Sequence, residues 1–275
     1  MTLPREKHAA GRAGFVALTT LALAVAITFL TLPVVAIFLN SGPGALVSSL
    51  GEESAREALW LSLRTTSAAL AIIIVVGTPA AYLLATRPFR GRAVLVTLVE
   101  LPLVLPPAVA GIALLAAVGP SGILGGSVDA LGIRLSLETV GVVVALTFVA
   151  SPFYLRQAQA AFASVDRTLL EASRTLGASE ARSFLRVMVP SAMPGLVAGG
   201  ALALGRALGE FGATLMFAGS LQGVTQTVPL AVYDRFASDF DAALALSGVL
   251  VAVSLAILLA VKLLGGGEAL GGAVR

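Results

Sequence analysis

Two opposite charges lie inside an apolar stretch of the C-terminal half, Arg206 and Glu210, four residues apart. Residues four apart share one face of an α-helix, so this spacing predicts an ion pair. Charged side chains at membrane depth are costly unless they are paired or in contact with water. The pair is therefore either a structural one that neutralises itself or part of a translocation path, and the spacing alone leaves both open.

The chain lacks the residue patterns that metal binding, catalysis and phosphate binding usually require. The chain has no cysteine and one histidine, His8, so we expect no metal site and no catalytic site. A phosphate-binding loop of the form G-x-x-x-x-G-K-[ST] needs a lysine directly after a glycine. Lys7 follows a glutamate and Lys262 follows a valine. We therefore expect this chain to bind no cofactor, and any ATP hydrolysis to occur on another polypeptide.

The composition is that of a membrane protein. Apolar residues make up 57% of the 275 residues and charged residues 12%, and the mean hydropathy is +0.97. A soluble domain has roughly 45–50% apolar and about 25% charged residues. These values exclude an ordinary soluble globule, a disordered chain and a nucleic-acid-binding protein.

The apolar stretches predict an all-α membrane protein with six transmembrane helices. A bilayer core requires roughly 20 residues of helix. A positively charged N-terminus followed by an apolar run also occurs in signal peptides, but their apolar region has about 7–15 residues. The first stretch is longer, so we interpret it as a retained helix. The predicted spans are Phe15–Leu39, Thr66–Ala85, Ala93–Val118, Leu137–Leu155, Ser191–Ala218 and Ala243–Leu264.

The basic residues predict the orientation. Cytoplasmic loops of membrane proteins carry an excess of Lys and Arg. With both termini in the cytoplasm, thirteen of the 18 basic residues fall on the inner side and three in the outer loops. The predicted domains are a cytoplasmic N-terminal tail (1–14), a transmembrane domain (15–264) and a cytoplasmic C-terminal tail (265–275).

The inner loop between the fourth and fifth spans, residues 156–190, differs from the other connections. Asp166 can cap one short helix and Ser179 a second, while Gly177 suits a helix end and Pro190 closes the loop. The two short helices would form a compact knob below the membrane. This knob is either an amphipathic segment on the lipid surface or a docking element for a soluble partner.

One motif in this loop resembles the EAA loop of bacterial ABC importer permeases. It reads Glu171-Ala172-Ser173, three residues, Gly177, nine residues, and Val187-Met188-Val189-Pro190. The resemblance implies a pair of coupling helices that insert into a groove on a cytoplasmic ATPase subunit, where ATP and Mg²⁺ would bind. It further implies that Ala172 and Ser173 permit close approach, that Glu171 makes polar contacts, and that Gly177 permits the turn. Arg174 is a further candidate contact.

Further segments resemble the oxyanion branch of these permeases, which transports molybdate, tungstate or sulfate. Residues 206–214 resemble this branch as a whole, and residues 217–233 and 101–111 look more like its molybdate type than its sulfate type. In that family the third and fifth spans supply a gate around a central pore. The resemblance therefore nominates a path or gate neighbourhood at Pro106, Pro107, Arg206, Glu210, Phe211 and Thr214.

The resemblance also implies an assembly in a bacterial-type cell membrane. It would contain two copies of this permease, cytoplasmic ATPase subunits and an extracytoplasmic oxyanion-binding protein. The outer loops carry eight acidic and three basic residues, which would repel a free anion and favour delivery by such a protein, or simply keep the loops solvated.

Two alternatives stay open. One is a sulfate or thiosulfate permease of the same superfamily. The other is an ion-coupled anion carrier, which the few acids inside the spans, Glu100 and Glu210, disfavour.

Overall fold

The computed structural model describes residues 5–264, except for the side chains of 5–11, 13, 262 and 264. The predicted C-terminal tail and the first four residues of the N-terminal tail lie outside this range. Every regular element of the described chain is helical. The first six helices are α1 (Arg5–Gly51), α2 (Glu53–Thr86), α3 (Arg92–Val104), α4 (Pro107–Val118), α5 (Gly125–Ala130) and α6 (Thr139–Ser164). The others are α7 (Arg167–Thr175), α8 (Glu180–Ser183), a π-helical turn (Phe184–Met188), α9 (Val189–Leu208), α10 (Gly212–Ala218), α11 (Val228–Phe236) and α12 (Phe240–Leu264).

Five helical segments are long and apolar enough to cross a membrane, and a bent pair of helices supplies a sixth span if it crosses as a unit. The all-α fold class is therefore confirmed. The fourth span is longer than predicted, because α6 continues to Ser164 and forms the first part of the predicted 156–190 loop.

The third predicted span is not one straight helix. It consists of α3 and α4, and the direction of the helix axis changes by 119° between them. Leu105 and Pro106 have extended ψ angles of 131° and 137°. Each is followed by a proline, which disfavours the helical conformation of the residue before it. Two successive prolines therefore interrupt the helix where a single one would only kink it.

Helix α6 lies at the centre of the packing. One buried cluster joins it to α2 and α9, with Ala69, Val142 and Ala203 among its members. A second cluster joins it to α4 and α10. A third, smaller cluster lies between α2, α11 and α12. Helix α6, which leads to the inner loop, thus also packs on the short helices α4 and α10.

Helix α1 lies at the edge and packs mainly on α12. A Cβ at Gly248 of α12 would lie 2.7 Å from Leu46 Cδ2 and 3.3 Å from Ile37 Cγ2. The most apolar window of α1 has no buried residue, as expected for a helix that faces lipid. Gly42, with φ 62° and ψ 152°, and Pro43 separate α1 into two helical parts.

Candidate functional site

The fifth predicted span is also interrupted, at residues 209–211, beside the break in the third. Helix α9 ends at Leu208 and α10 begins at Gly212. A Cβ on Gly212 would lie 2.9 Å from Pro107 Cβ, and one on Gly111 would lie 2.7 Å from both Ala213 O and Met216 Cβ. Helices α4 and α10 therefore start side by side and run parallel in close contact. We call this region the paired breaks (residues 105–107 and 209–212).

The predicted ion pair lies at the second of these breaks, with Arg206 in the last turn of α9 and Glu210 in the break itself. Arg206 Nη1 lies 2.6 Å from Glu210 Oε2, and the Glu210 side chain is 1% exposed while that of Arg206 is 25% exposed. Glu210 Oε1 also accepts a 2.7 Å hydrogen bond from the Ala213 N–H. The carboxylate thus connects the end of α9 to the first turn of α10.

The pair is real, but its predicted basis is wrong. Arg206 and Glu210 do not share the face of one continuous helix, because the helix ends between them at Gly209. The Arg206 contact is an ion pair by distance, and Oε2 makes no well-formed hydrogen bond within residues 5–264. A buried carboxylate with incomplete hydrogen bonding is strongly dependent on its cationic partner.

The other residues nominated for the path differ in their burial. Thr214 is fully buried and its hydroxyl donates to Phe211 O over 2.8 Å. The Phe211 ring is half-buried against Tyr233 of α11, with centroids 4.9 Å apart. Pro106 and Pro107 are exposed. Thr214 and Glu210 therefore hold the break, while Arg206 and Phe211 present surface beside it.

Small residues at four-residue spacing have different roles along α9. A Cβ on Gly195 would lie 2.4 Å from Ala161 Cβ, and one on Gly199 would lie 3.1 Å from Gln157 Cβ. These two glycines let α9 approach α6 closely. For Gly205, no atom of another described helix lies within 4 Å of the corresponding position, so close helix packing is not its role within one chain.

The second candidate site is the knob, residues 166–188. Asp166 caps α7 by accepting a 2.9 Å hydrogen bond from the Thr168 N–H, and Ser179 caps α8 by accepting one from the Arg182 N–H. The Thr168 N–H holds the pKa of the Asp166 carboxyl below its ordinary value. Gly177, with φ 78°, forms the turn between the helices in a conformation that favours glycine. Both predicted caps and the predicted turn are confirmed.

Pro190 does not close the loop. Residues 180–208 form one helical run, in which α8 passes through the π-helical turn into α9. In this turn the Val189 N–H donates to Phe184 O, five residues back. Such a widened turn accommodates a proline that lacks an N–H and would crowd the preceding carbonyls of a regular helix.

The EAA residues divide into an outer and an inner set. Glu171, Ala172 and Arg174 are exposed, together with the apolar Leu176, which is 87% exposed. Ser173 is instead buried, and its hydroxyl lies 2.8 Å from the Ser183 hydroxyl of α8. Ser173 thus contacts the second knob helix, which changes its predicted role as part of the approach surface.

Several residues that the motif did not indicate fix the knob to the helix ends above it. Arg87, after α2, donates from Nη2 to both carboxylate oxygens of Glu180 at 2.6 Å. The rings of Tyr82, Phe162 and Phe184 pack together, with centroids 4.8–6.2 Å apart. These aromatic residues were the signal available in the sequence, because aromatic side chains bury large areas and pack on one another in pairs.

Comparison with known protein families gives a clear match. Residues 77–265 match the family described as "Binding-protein-dependent transport system inner membrane component". This range contains both the knob and the paired breaks. The chain belongs to this family. The resemblance inferred from the EAA motif is thereby confirmed.

Relatives within this family are similar over most of their length. The chain is 42% identical over 237 residues, 86% of its own length and 89% of the relative, to the "Molybdenum transport system permease protein ModB" of Mycobacterium tuberculosis. It is 36% identical over 250 residues to the "Probable transport system permease protein NifC" of Clostridium pasteurianum, covering 90% of this chain and 86% of that one.

Solved structures of two bacterial ABC transporters show the same fold. A bacterial ABC transporter involved in the import of alginate superposes with a TM-score of 0.74 at 17% identity, covering 95% of this chain and 98% of that chain. An inward-facing conformation of the MetNI methionine ABC transporter superposes with a TM-score of 0.56 at 20% identity, covering 76% and 91%. The fold is that of an ABC importer transmembrane domain, and the chain is a multi-pass membrane protein and a transport component.

Proposed function

We propose that this chain is the permease subunit of an ATP-driven importer that carries molybdate, and also tungstate, across the cell membrane. The observation that carries this proposal is the helical run of residues 180–208, which begins in the knob and ends at Arg206 and the paired breaks. A displacement of the knob would therefore be transmitted along this helix to the Arg206–Glu210 ion pair. The choice of molybdate follows the names of the relatives.

The knob is the proposed docking element for an ATPase subunit. Its exposed surface combines Glu171, Ala172 and Arg174 with the apolar Leu169, Leu176 and Leu185, which are 47%, 87% and 62% exposed. Apolar side chains of this size on a cytoplasmic surface favour a protein partner. ATP and Mg²⁺ would bind on that partner. Ser173 is buried and supports this surface from within, while Gly177 is exposed and forms the turn beside it.

The paired breaks are the proposed path for the anion. Arg206 is the basic side chain there, and its guanidinium can donate several hydrogen bonds to an oxyanion. Glu210 is buried behind it and holds its position. Pro106, Pro107, Phe211 and Thr214 complete this neighbourhood, in which a change in the angle between two half-helices would open or close the passage.

The complete transporter would contain a second copy of this chain and a binding protein outside the membrane. The face of α9 at Gly205 has open space beside it in one chain, where a second copy would pack in a homodimer. The outer loops carry acidic side chains such as Glu53 and Asp241, both exposed. These loops disfavour direct capture of an anion, in keeping with delivery by the binding protein to a permease in a bacterial-type inner membrane.

The decisive experiment is reconstitution of this chain in liposomes with its ATPase and binding protein. Molybdate, tungstate, sulfate and phosphate would be offered separately, and ATP hydrolysis and anion uptake measured. Stimulation by molybdate and tungstate supports the proposal. Stimulation by sulfate would assign the chain to the sulfate or thiosulfate branch, and uptake driven by an ion gradient without ATP would assign it to the ion-coupled carriers. Failure to bind any ATPase subunit would contradict the docking role of the knob.

A further inference from the structure

A second ion pair lies at membrane depth, between α3 and α6. Arg156 Nε lies 3.3 Å from Glu100 Oε1, and the side chains are 61% and 37% exposed. Glu100 lies eight residues after Arg92, or about 12 Å along α3, inside the predicted third span. Charges this exposed would be costly against hydrocarbon. The face of α3 and α6 that carries them is therefore expected to meet water or another protein surface and not hydrocarbon.

A groove that neither charge lines begins at Gln157, the residue that follows Arg156. It has a volume of about 390 Å³ and lies between α6 and α9. Its lining includes the small residues Ala160, Ala192 and Gly195, and Gln157 and Ser191 supply neutral hydrogen-bond donors. Arg156 lies four residues, one helical turn, before Ala160 and so shares its face of the helix.

We propose that Arg156, Glu100 and this groove form an oxyanion-binding vestibule at the inner mouth of the translocation path. The identity of the anion rests on the proposed function, whereas the attraction of anions to the groove rests on the charges and geometry of this chain. Its ligand class is a divalent tetrahedral oxyanion, on its way from the paired breaks to the cytoplasm.

The hydrogen-bonding groups suit weak, reversible binding. A guanidinium has five N–H donors, and the contact with Glu100 is through Nε. Nη1 and Nη2 are not the atoms of this contact and can bind two oxyanion oxygens. The Glu100 carboxylate opposes part of this attraction, and the groove adds only neutral donors. A site near the exit of a path has to release its ligand as readily as it binds it.

The absence of cysteine from the chain allows a direct electrostatic test. Ser191→Cys places a single thiol in the groove of the complete transporter. Its labelling rates with an anionic and a cationic methanethiosulfonate, both water-soluble and applied from the cytoplasmic side, report the local potential. Arg156→Gln should lower the anionic-to-cationic ratio about tenfold, Arg156→Lys should preserve it, and Glu100→Gln should raise it. Met193→Cys, 43% exposed and not in the groove, is the matched control.

The outcomes separate this inference from the proposed function. An unreactive Ser191→Cys thiol would show that lipid or a second copy fills the groove and would overturn the inference. The inference would also be overturned if Arg156→Gln left the anionic-to-cationic labelling ratio of Ser191→Cys unchanged. The same holds if Arg156→Gln changed this ratio equally at Met193→Cys. Molybdate should slow anionic labelling of Ser191→Cys, and the Arg156→Gln variant should take up molybdate about tenfold more slowly than Arg156→Lys. If the unsubstituted transporter takes up no molybdate but the labelling rates follow the expected pattern, only the proposed substrate is contradicted.

Discussion

The knob and the paired breaks are stabilised in different ways. The knob depends on local hydrogen bonds, made by Asp166 and Ser179 at helix starts, and on one left-handed glycine, Gly177. The paired breaks depend on a buried carboxylate, Glu210, and on contacts between helices that are about one hundred residues apart in sequence. Local contacts cost little to lose singly, whereas a buried charge cannot lose its partner cheaply. Changes in the two regions should therefore differ in size and in kind.

The largest expected effect is that of Glu210→Ala. It leaves the Arg206 guanidinium without its counter-ion and the Ala213 N–H without its acceptor, so we expect a loss of about 3–5 kcal/mol in stability and loss of molybdate uptake. Thermal unfolding in detergent and uptake in cells measure the two effects. The double variant Arg206→Ala/Glu210→Ala should unfold at a higher temperature than either single variant.

Uptake by this double variant decides between the two interpretations of the pair. A purely structural pair predicts that uptake returns with stability. If Arg206 contacts the anion, uptake stays low although the protein is stable. A double variant no more stable than the worse single variant would contradict the structural contribution of the ion pair itself.

Next in size is Gly177→Pro in the knob. Proline fixes φ near −65°, while Gly177 has φ 78°. The turn between α7 and α8 would be rebuilt, and we expect ATPase docking and uptake to fall about tenfold or more while membrane insertion is unchanged. Gly177→Asn, which tolerates the left-handed region, is the matched control. Normal docking by Gly177→Pro would show that this turn does not position the surface that binds the ATPase subunit.

A smaller effect is expected for Ser173→Val. It removes one hydroxyl of the buried Ser173–Ser183 pair and leaves the other without a partner, at a cost of about 1–3 kcal/mol. The double variant Ser173→Ala/Ser183→Ala removes both hydroxyls and should be closer to the unsubstituted protein. Hydrogen exchange of α7 and α8 would detect the change. Equal exchange in all three proteins would show that this contact does not hold the knob together.

The smallest effect is the pH dependence of the α7 cap. The pKa of Asp166 is lowered in the folded protein, so its contribution to stability is complete above its ordinary pKa and is lost as the pH falls through the lowered value. Amides of the first turn of α7 should therefore lose protection from hydrogen exchange only as the pH falls below the ordinary pKa of an aspartate, about 4. Asp166→Ala should lack this change, and a parallel loss in α10 would show that the two regions are not independent.

Local features of both regions could be read from the residues themselves. Asp166, Ser179 and Gly177 act within three residues of their own positions, so their spacing is sufficient to predict caps and turn. Pro190 could not be placed in the same way. Whether a proline ends a helix or enters a π-helical turn depends on what surrounds Phe184, which packs on Tyr82 and Phe162 from two other helices.

The sequence by itself determined the all-helical membrane class, the helix caps of the knob and the family, because hydropathy and short motifs act over neighbouring residues. It also indicated that Arg206 and Glu210 would pair. Only the tertiary structure decided that the third and fifth spans break at the same place, since this depends on the close contact of Gly212 with Pro107 and of Gly111 with Ala213. Likewise, only packing placed Glu100 of α3 beside Arg156 of α6. A long-range contact of this kind is selected by the fit of entire helices, and no single residue encodes it.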